Sequence, residues 1–276
     1  MAYDEQTFDG QFSASAGTDA LFRSYVSAVR TALTNAGLVR TSDTGQIDPT
    51  TVSKPTSGSD AGYEIWRFDD DDQSTDPLFF KITYGGGSSN GYPRIKIIVG
   101  TGSNGSGTIS NASTEVSRDM SSAGAASGRV IASLFDGELT LWIWNTTGST
   151  SSNNCQAWVL GRARDADGGE PIGSGTHYLR TFNGTAYLRS AGNWSSYNSI
   201  DVVATSVVAN KCVFGHHRCV YPMAPYSPLL GVPGTLAGGD EGVTDLLDGT
   251  TATYKLPSGG NTNFVSSAGP VAIRNA

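Results

Sequence analysis

The chain has 276 residues, of which 38% are hydrophobic and 16% charged, and its formal net charge is −7. So few charged residues exclude both a coiled coil and a chain that is disordered through its charge. No stretch is rich in Lys or Arg, so the basic surface of a nucleic-acid-binding protein is not expected. The 35 glycines, with abundant Ser, Thr and Asn, suit short strands joined by polar loops.

The N-terminal segment, MAYDEQTFDGQF, has neither the basic region nor the apolar region of a secretory signal. No apolar run approaches the length of about 18 residues that a membrane-spanning helix needs. We therefore expect a soluble protein that is made in the cytoplasm and has no membrane partner.

One amphipathic helix is predicted at residues 18–38. Thr18 suits the N-cap, and Gly37 suits the position just past the C-terminal end. Arg23 and Arg30 fall on the polar side. We expect the apolar face to cover a sheet of the same chain, with docking to a partner as the alternative. That face has helical spacing and consists of Leu21, Phe22, Tyr25, Val26, Val29, Leu33 and Ala36.

Strands are predicted to dominate after a polar linker at residues 40–62. Aromatic and β-branched runs predict strands at residues 63–68, 78–84 and 94–100. The dipeptides Asp136-Gly137 and Asn183-Gly184 each separate two such runs and predict two β-hairpins. The expected fold class is mainly β, a sandwich or barrel-like sheets with long loops, plus one N-terminal amphipathic helix.

Changes in composition divide the chain into three segments. Residues 1–62 form an N-terminal arm with the helix and the linker, and residues 63–170 form a β-rich domain. Residues 171–276 form a second β-rich segment with a loop-rich C-terminal tail. A single domain that includes both β-rich parts is the alternative.

Four consecutive aspartates, Asp69 to Asp72, lie between two predicted strands. A calcium loop needs a Gly at its sharp turn and a bidentate Glu, and this stretch has neither. A catalytic pair needs two carboxylates that converge on one substrate, whereas adjacent side chains of an extended segment point apart. The run is interpreted as a solvated turn that binds no metal and is dispensable for folding.

No other motif predicts catalysis or a metal centre. The stretch RDADGGE at residues 164–170 has only half of a calcium loop and suits a turn. His216 and His217 are adjacent and would face opposite ways, and Cys212 and Cys219 lack the spacing of a zinc ribbon. A nucleophile elbow, a zinc-protease helix and a phosphate loop are missing from the sequence. We expect no catalytic residue, no metal and no cofactor, and therefore no enzymatic activity.

Two tryptophans on one predicted strand are candidate partner contacts. Trp142 and Trp144 share one face by the period of two, while Leu139, Leu141 and Ile143 share the other. If the leucine face lies in the core, the two indoles are exposed unless something covers them. Contiguous exposed apolar surface usually marks an interaction site.

The three cysteines are Cys155, Cys212 and Cys219. Their number is too small and odd for a disulfide framework. Cytoplasmic assembly keeps thiols reduced, but a reversal between Cys212 and Cys219 would allow a bridge after release into oxidising surroundings, within or between subunits. Both states are retained as possibilities.

A composite pattern resembles virion proteins of tailed bacteriophages. It comprises GYEIWRFDDDDQSTDPLFFKITYGGGSSNGYPRIKIIVGTGSNGSGTI, then LTLWIWN with CQAWVLGRARDADG, and finally YPMAPYSP. The similarity spans roughly residues 60–230 and includes an aromatic hairpin followed by a GTG-x-x-G-x-G stretch. It implies a non-enzymatic subunit of the tail, baseplate or neck. Such a subunit would be assembled in the host cytoplasm as a homo-oligomer that contacts other virion proteins.

Two other classes of protein compete with a virion subunit. A carbohydrate-binding β-sandwich would use the aromatics and acidic loops, although such modules are usually exported and no export signal is seen. A polysaccharide-degrading enzyme would need two carboxylates about 5 to 10 Å apart in a groove. The sequence suggests no such pair.

Overall fold

The computed structural model describes residues 2–9, 17–88, 91–120, 128–135, 137–145, 155–162 and 177–181, together with the later strand segments 186–190, 193–197, 203–208, 211–215, 229–231, 241–245, 251–255 and 271–274. From residue 180 onward, only the backbone of the strands is described. In this part of the chain the protein is mainly β with a single α-helix, as the sequence predicts.

Residues 2–162 contain one α-helix and eleven strands among the described residues. In chain order they are β1 (Ala2–Phe8), α1 (Asp19–Asn35), β2 (Val39–Arg40), β3 (Asp60–Arg67), β4 (Phe79–Gly86), β5 (Pro93–Gly100), β6 (Gly102–Ser103), β7 (Ile109–Ser110), β8 (Val116–Asp119), β9 (Gly128–Phe135), β10 (Glu138–Asn145) and β11 (Cys155–Arg162). A 3₁₀ turn (Asp71–Ser74) lies between β3 and β4.

The later strands are short. They are β12 (His177–Thr181), β13 (Ala186–Ser190), β14 (Asn193–Tyr197), β15 (Val203–Val208), β16 (Lys211–Gly215), β17 (Leu229–Gly231), β18 (Glu241–Asp245), β19 (Thr251–Lys255) and β20 (Val271–Arg274).

The described strands form three larger sheets. The first has seven strands in the order β1-β9-β10-β11-β12-β13-β14, and the second has five in the order β2-β3-β4-β5-β8. A six-stranded sheet has the order β15-β16-β18-β19-β20-β17, and β6 pairs with β7. The strand pairs that the two predicted hairpins require are present, because β9 pairs with β10 and β12 pairs with β13, while Asp136, Asn183 and Gly184 lie outside the described residues.

One hydrophobic cluster contains side chains from α1, the five-stranded sheet and the seven-stranded sheet. Tyr25 of α1, Tyr84 of β4 and Trp158 of β11 all belong to it and have no exposed surface. Within it the ring of Tyr25 meets those of Phe8 and Tyr84 edge-on, with centroid distances of 5.3 Å and 6.3 Å. The prediction that the apolar face of the helix covers a sheet of the same chain is therefore confirmed.

Local signals set both ends of α1. The Thr18 hydroxyl oxygen accepts a hydrogen bond from the Leu21 N–H at 3.3 Å. At the other end Gly37 has φ +92°, its N–H donates to the Thr34 carbonyl, and the Leu38 N–H donates to the Leu33 carbonyl. This is the Schellman arrangement that a glycine at C′ permits. Within the described residues, no helix is long and apolar enough to cross a membrane.

The predicted linker packs along β3. The Ile47 N–H donates to the Tyr63 carbonyl at 2.9 Å, and the Ile65 N–H donates to Gln46 Oε1 at 2.8 Å. Arg30 on α1 donates to the Ile47 carbonyl at 2.7 Å. Side chains on both sides of residue 62 enter the same hydrophobic cluster. The division of the chain into three segments stays a prediction.

Candidate functional site

The aspartate run forms a short structured connection between β3 and β4. After Asp70, which is extended, the 3₁₀ turn Asp71–Ser74 reverses the chain, and the Asp72 carbonyl accepts from the Asp76 N–H at 2.7 Å. Asp69 and Asp71 are exposed, whereas Asp76 is only 3% exposed. The connection between β3 and β4 therefore presents some carboxylates to solvent and turns others inward.

The inward groups of this turn surround Arg162, the last residue of β11. Arg162 has no exposed side-chain surface, and its Nη1 lies 2.6 Å from Asp70 Oδ2. Its Nε donates to the Asp76 carbonyl oxygen at 2.7 Å, and its Nη2 donates to Gln73 Oε1 at 3.0 Å. The guanidinium carbon also lies 5.4 Å from the centroid of the Phe68 ring. All three guanidinium nitrogens are thus used within the chain.

His177 extends the same cluster onto the next strand. It lies opposite Arg162 in the register of β11 and β12, has no exposed surface, and places Nε2 3.0 Å from Asp76 Oδ1. Nδ1 has no hydrogen-bond partner among the described residues. We call Asp70, Gln73, Asp76, Arg162 and His177 the ionic lock, because they connect the turn of the five-stranded sheet to two strands of the seven-stranded sheet.

The ionic lock corrects the interpretation of the aspartate run. The prediction of a turn between two strands is confirmed, but that of a solvated run is incomplete for Asp70, which pairs with a buried arginine. Asp76, which follows the run on the same connection, is buried. The expectation that the run is dispensable for folding stays a prediction; the contact of Asp70 with buried Arg162 argues against it, because a buried charge without its partner is strongly destabilising.

A second buried carboxylate belongs to Glu64 on β3 and binds an arginine of α1. Glu64 has no exposed surface, and its Oε1 lies 2.5 Å from Arg30 Nε and 3.1 Å from Arg40 Nε. Its Oε2 accepts from the Tyr84 hydroxyl at 2.7 Å. Burial and then the Glu64 carboxylate raise the pKa of Tyr84 well above its usual value. Arg30, expected on the polar side of the helix, therefore has an internal role.

A third carboxylate holds the glycine-rich loop that follows β5. Asp43 is buried and accepts hydrogen bonds from the hydroxyls of Thr41 and Ser103 and from the Gly107 N–H. Burial alone would raise the pKa of Asp43, but these hydrogen bonds outweigh it and hold the pKa below the usual value. Gly107 has φ +95°, and a Cβ at this position would lie 2.5 Å from the Tyr63 hydroxyl oxygen, so only glycine fits.

Several predicted site residues lie elsewhere. Trp142 has no exposed surface, so it does not present an indole to solvent, and the side chain of Trp144 lies outside the described residues. The leucine face is in the core as predicted. Cys155 lies on β11 opposite Trp144, and Cys212 lies on β16.

The side chains of Cys155 and Cys212 and the whole of Cys219 lie outside the described residues. His216, His217 and the stretch at 164–170 also lie outside them. The possible disulfide therefore stays a prediction.

Comparisons with family models, with curated proteins and with solved structures find no significant match for this chain. Among the described residues, no group of three or more His, Cys, Asp or Glu side chains is arranged to hold a metal ion. What the described carboxylates do is bind arginines, hydroxyls, amides and an imidazole of the same chain. These hydrogen bonds and ion pairs stabilise the fold.

Proposed function

We propose that the chain is a structural subunit of a tailed-bacteriophage virion, in the tail, baseplate or neck. It acts in multiple copies through protein–protein assembly with itself and with other virion proteins, and not as an enzyme or a nucleic-acid-binding protein. It reaches the virion by assembly in the host cytoplasm.

The observation that carries this proposal is the ionic lock. Two kinds of residue that a sequence search would first assign to catalysis or metal binding are bonded within the fold: Asp70 of the aspartate run pairs with Arg162, and His177 pairs with Asp76. An active site leaves its acid or base accessible to a substrate. Here His177 has no exposed surface, Arg162 is 1% exposed and Asp76 is 3% exposed, which supports a stabilising role.

The resemblance to phage virion proteins adds support, because its first segment coincides with one packed unit of the structure. The hairpin of β3 and β4 packs with β5, and the glycine-rich loop folds back against Tyr63 through Gly107. Lys81 Nζ donates to the Gly107 carbonyl at 2.9 Å and lies 4.3 Å from the Tyr63 ring centroid. The residues of this first segment therefore pack against one another in the structure.

Mass spectrometry of particles tests the proposal. Particles from a lysate of cells that carry the gene are purified on a density gradient, washed with nuclease and salt, and digested for peptide identification. The expected result is that peptides of this chain co-purify with other particle proteins, in a ratio that indicates several copies per particle. Host cytoplasmic proteins of similar abundance serve as the control for trapping.

Two results would overturn the proposal. One is that washed particles lack the chain although the lysate contains it. The other is that the purified chain is a monomer that binds or cleaves a glycan by itself, which is the behaviour of the carbohydrate-binding module or the polysaccharide-degrading enzyme.

A further inference from the structure

The glycine-rich loop between β6 and β7 contains an Asn-Gly step. Asn104, Gly105 and Ser106 are exposed, so this step is accessible to water. The sequence has two further Asn-Gly steps, at residues 90–91 and 183–184, whose asparagines lie outside the described residues. At Asn104, both residues of the step and their hydrogen bonds are described, so its chemistry can be derived from the structure.

The side-chain oxygen of Asn104 is held by two backbone donors. Asn104 Oδ1 accepts a hydrogen bond from the Ser106 N–H at 2.9 Å and another from the Thr108 N–H at 3.0 Å. The first of these bonds closes an Asx turn, which folds the Asn104 side chain back along the backbone of Gly105. Two N–H groups that point at a carbonyl oxygen also stabilise the negative charge that develops on this oxygen when its carbon is attacked.

The nucleophile for such an attack is the backbone nitrogen of Gly105. Its N–H donates to Ser103 Oγ at 3.3 Å, and the Ser103 hydroxyl in turn donates to the carboxylate of Asp43. Ser103 Oγ is therefore an acceptor for the Gly105 proton, and the carboxylate behind it makes this oxygen more basic. Gly105 has φ +81° and carries no side chain that would obstruct its nitrogen.

We propose that Asn104 is a self-modification site, where the Gly105 nitrogen attacks Asn104 Cγ and the asparagine is converted to aspartate or isoaspartate. The bond between this nitrogen and Cγ forms, and the bond between Cγ and the side-chain nitrogen breaks. The proton released from Gly105 passes through Ser103 Oγ to the departing NH2 group, which leaves as ammonia. A water molecule then opens the succinimide ring at one of its two carbonyl carbons. The modification is independent of the proposed virion role.

Both products add a negative charge to the loop, but they differ in the backbone. Aspartate keeps an oxygen that accepts from Ser106 and Thr108, and its charge strengthens these hydrogen bonds. Isoaspartate instead inserts a methylene group into the main chain beside Gly105, whose carbonyl oxygen accepts from the Thr44 N–H at 2.9 Å. The contact between the loop and the segment before β3 is therefore expected to persist with aspartate and to weaken with isoaspartate.

The test follows the conversion of Asn104 in the purified full chain by mass spectrometry. Samples taken over time at neutral pH are digested with trypsin, and the peptide of residues 97–118 is fragmented, because it contains both Asn104 and Asn111. Asn111 is the internal control. It is also exposed, but Ala112 follows it, and its side-chain nitrogen donates to Thr101 Oγ1 at 2.7 Å. We expect Asn104 to be converted well before Asn111.

Folding is expected to accelerate the conversion. The rate at Asn104 should be about tenfold or more higher in the folded chain than in the chain unfolded by guanidinium chloride, since only the fold supplies the two N–H donors and the Ser103 acceptor together. A synthetic peptide of residues 100–112, incubated in both solvents, corrects for the effect of the denaturant on the reaction itself. A corrected rate in the folded chain that is equal to or lower than the unfolded rate would overturn the proposal.

Ser103 provides a matched pair of variants. Ser103→Ala removes the proton acceptor and is expected to slow the conversion about tenfold or more in the folded chain, with the unfolded rate unchanged. Ser103→Thr retains the hydroxyl and is expected to keep the wild-type rate. Circular dichroism and thermal melting establish that both variants are folded; if Ser103→Ala is not, the comparison of folded and unfolded wild type decides. A wild-type rate for folded Ser103→Ala, or equal conversion of Asn104 and Asn111, would contradict the proposal.

Discussion

Arg162 Nη1 lies 2.6 Å from Asp70 Oδ2 although 92 residues separate them along the chain. The contact joins the end of β11 in the seven-stranded sheet to the turn between β3 and β4 in the five-stranded sheet. Because the Arg162 side chain is completely buried, its charge depends on the acceptors that this turn supplies. The acidic turn therefore contributes directly to how the two sheets are held together.

Replacement of Arg162 with Met is expected to lower the free energy of unfolding by about 3 to 5 kcal/mol, because it removes the buried guanidinium that pairs with Asp70 and binds the Asp76 carbonyl oxygen. Urea denaturation measures this value. Arg67→Met is the matched control, since Arg67 pairs with Asp69 at the surface with 34% and 53% of the side chains exposed. We expect that change to cost less than about 1 kcal/mol. Equal costs for the two variants would contradict the burial argument.

Asp76 and His177 are expected to be energetically coupled. A double-mutant cycle with Asp76→Ala and His177→Ala should give an interaction energy of about 0.5 to 3 kcal/mol, as for other residues in direct contact. The same cycle with Asp71→Ala in place of Asp76→Ala is the control, because Asp71 is exposed on the same turn. Its interaction energy should stay within about 0.5 kcal/mol of zero. Interaction energies of similar size in both cycles would show that the coupling does not come from the direct contact between Asp76 and His177.

Val29→Asp in α1 is expected to destabilise the protein by about 3 kcal/mol or more, because a carboxylate would enter the core without a partner. Val29 has no exposed surface, whereas Thr31 on the same helix is exposed. Thr31→Asp, which introduces the same side chain, should change stability by no more than about 0.5 kcal/mol. Thermal melting of the two variants compares them, and a wild-type melting temperature for Val29→Asp would refute the packing of this face.

The parts of the fold that the sequence predicts are those with local causes. The helix follows from an apolar spacing, an N-cap at Thr18 and a glycine at residue 37. The β9–β10 hairpin follows from one dipeptide, in which Gly137 has φ +74°. Each of these signals lies within a few residues of the structure that it determines.

The ionic lock depends on residues that are distant along the chain. The sequence next to the aspartate run does not reveal these partners, which is why the run is interpreted as a solvated turn. One signal was present: Arg162 continues the alternation of Trp158 and Leu160, whose face lies in the core. A charged residue at a core position requires a partner, and acidic loops are the first candidates. The burial of Trp142 also had a local signal, because the unbroken apolar run from Leu141 to Trp144 is typical of a strand that is covered on both faces.

Glu64→Gln is expected to lower the free energy of unfolding by about 3 kcal/mol, since it removes the charge that Arg30 and Arg40 share inside the protein. Glu115→Gln provides the control, because Glu115 is 41% exposed and pairs with Lys96 at 3.3 Å. We expect a cost of at most about 1 kcal/mol there. If both substitutions had the small effect, Glu64 would contribute no more than a surface ion pair.

Asp43 is expected to make the folded state sensitive to acid. Its pKa is lower in the folded protein than the usual value of about 3.9 for an unfolded chain. The unfolded state therefore takes up the proton first as the pH falls. The stability from Asp43 is fully present above the unfolded pKa, and it is lost as the pH falls from there through the folded pKa.

The stability of wild type measured by urea denaturation should consequently decline below about pH 4 more steeply than that of Asp43→Asn, which carries no titrating group at this position. At pH 7 the variant should be less stable, because the amide cannot accept as well from Thr41, Ser103 and the Gly107 N–H together. The difference between the two proteins should shrink as the pH falls. Asp71→Asn, on the exposed turn, controls for the loss of one acidic residue. If the stabilities of wild type and Asp43→Asn changed with pH in the same way, the hydrogen bonds to Asp43 would not favour its charged form over its protonated form.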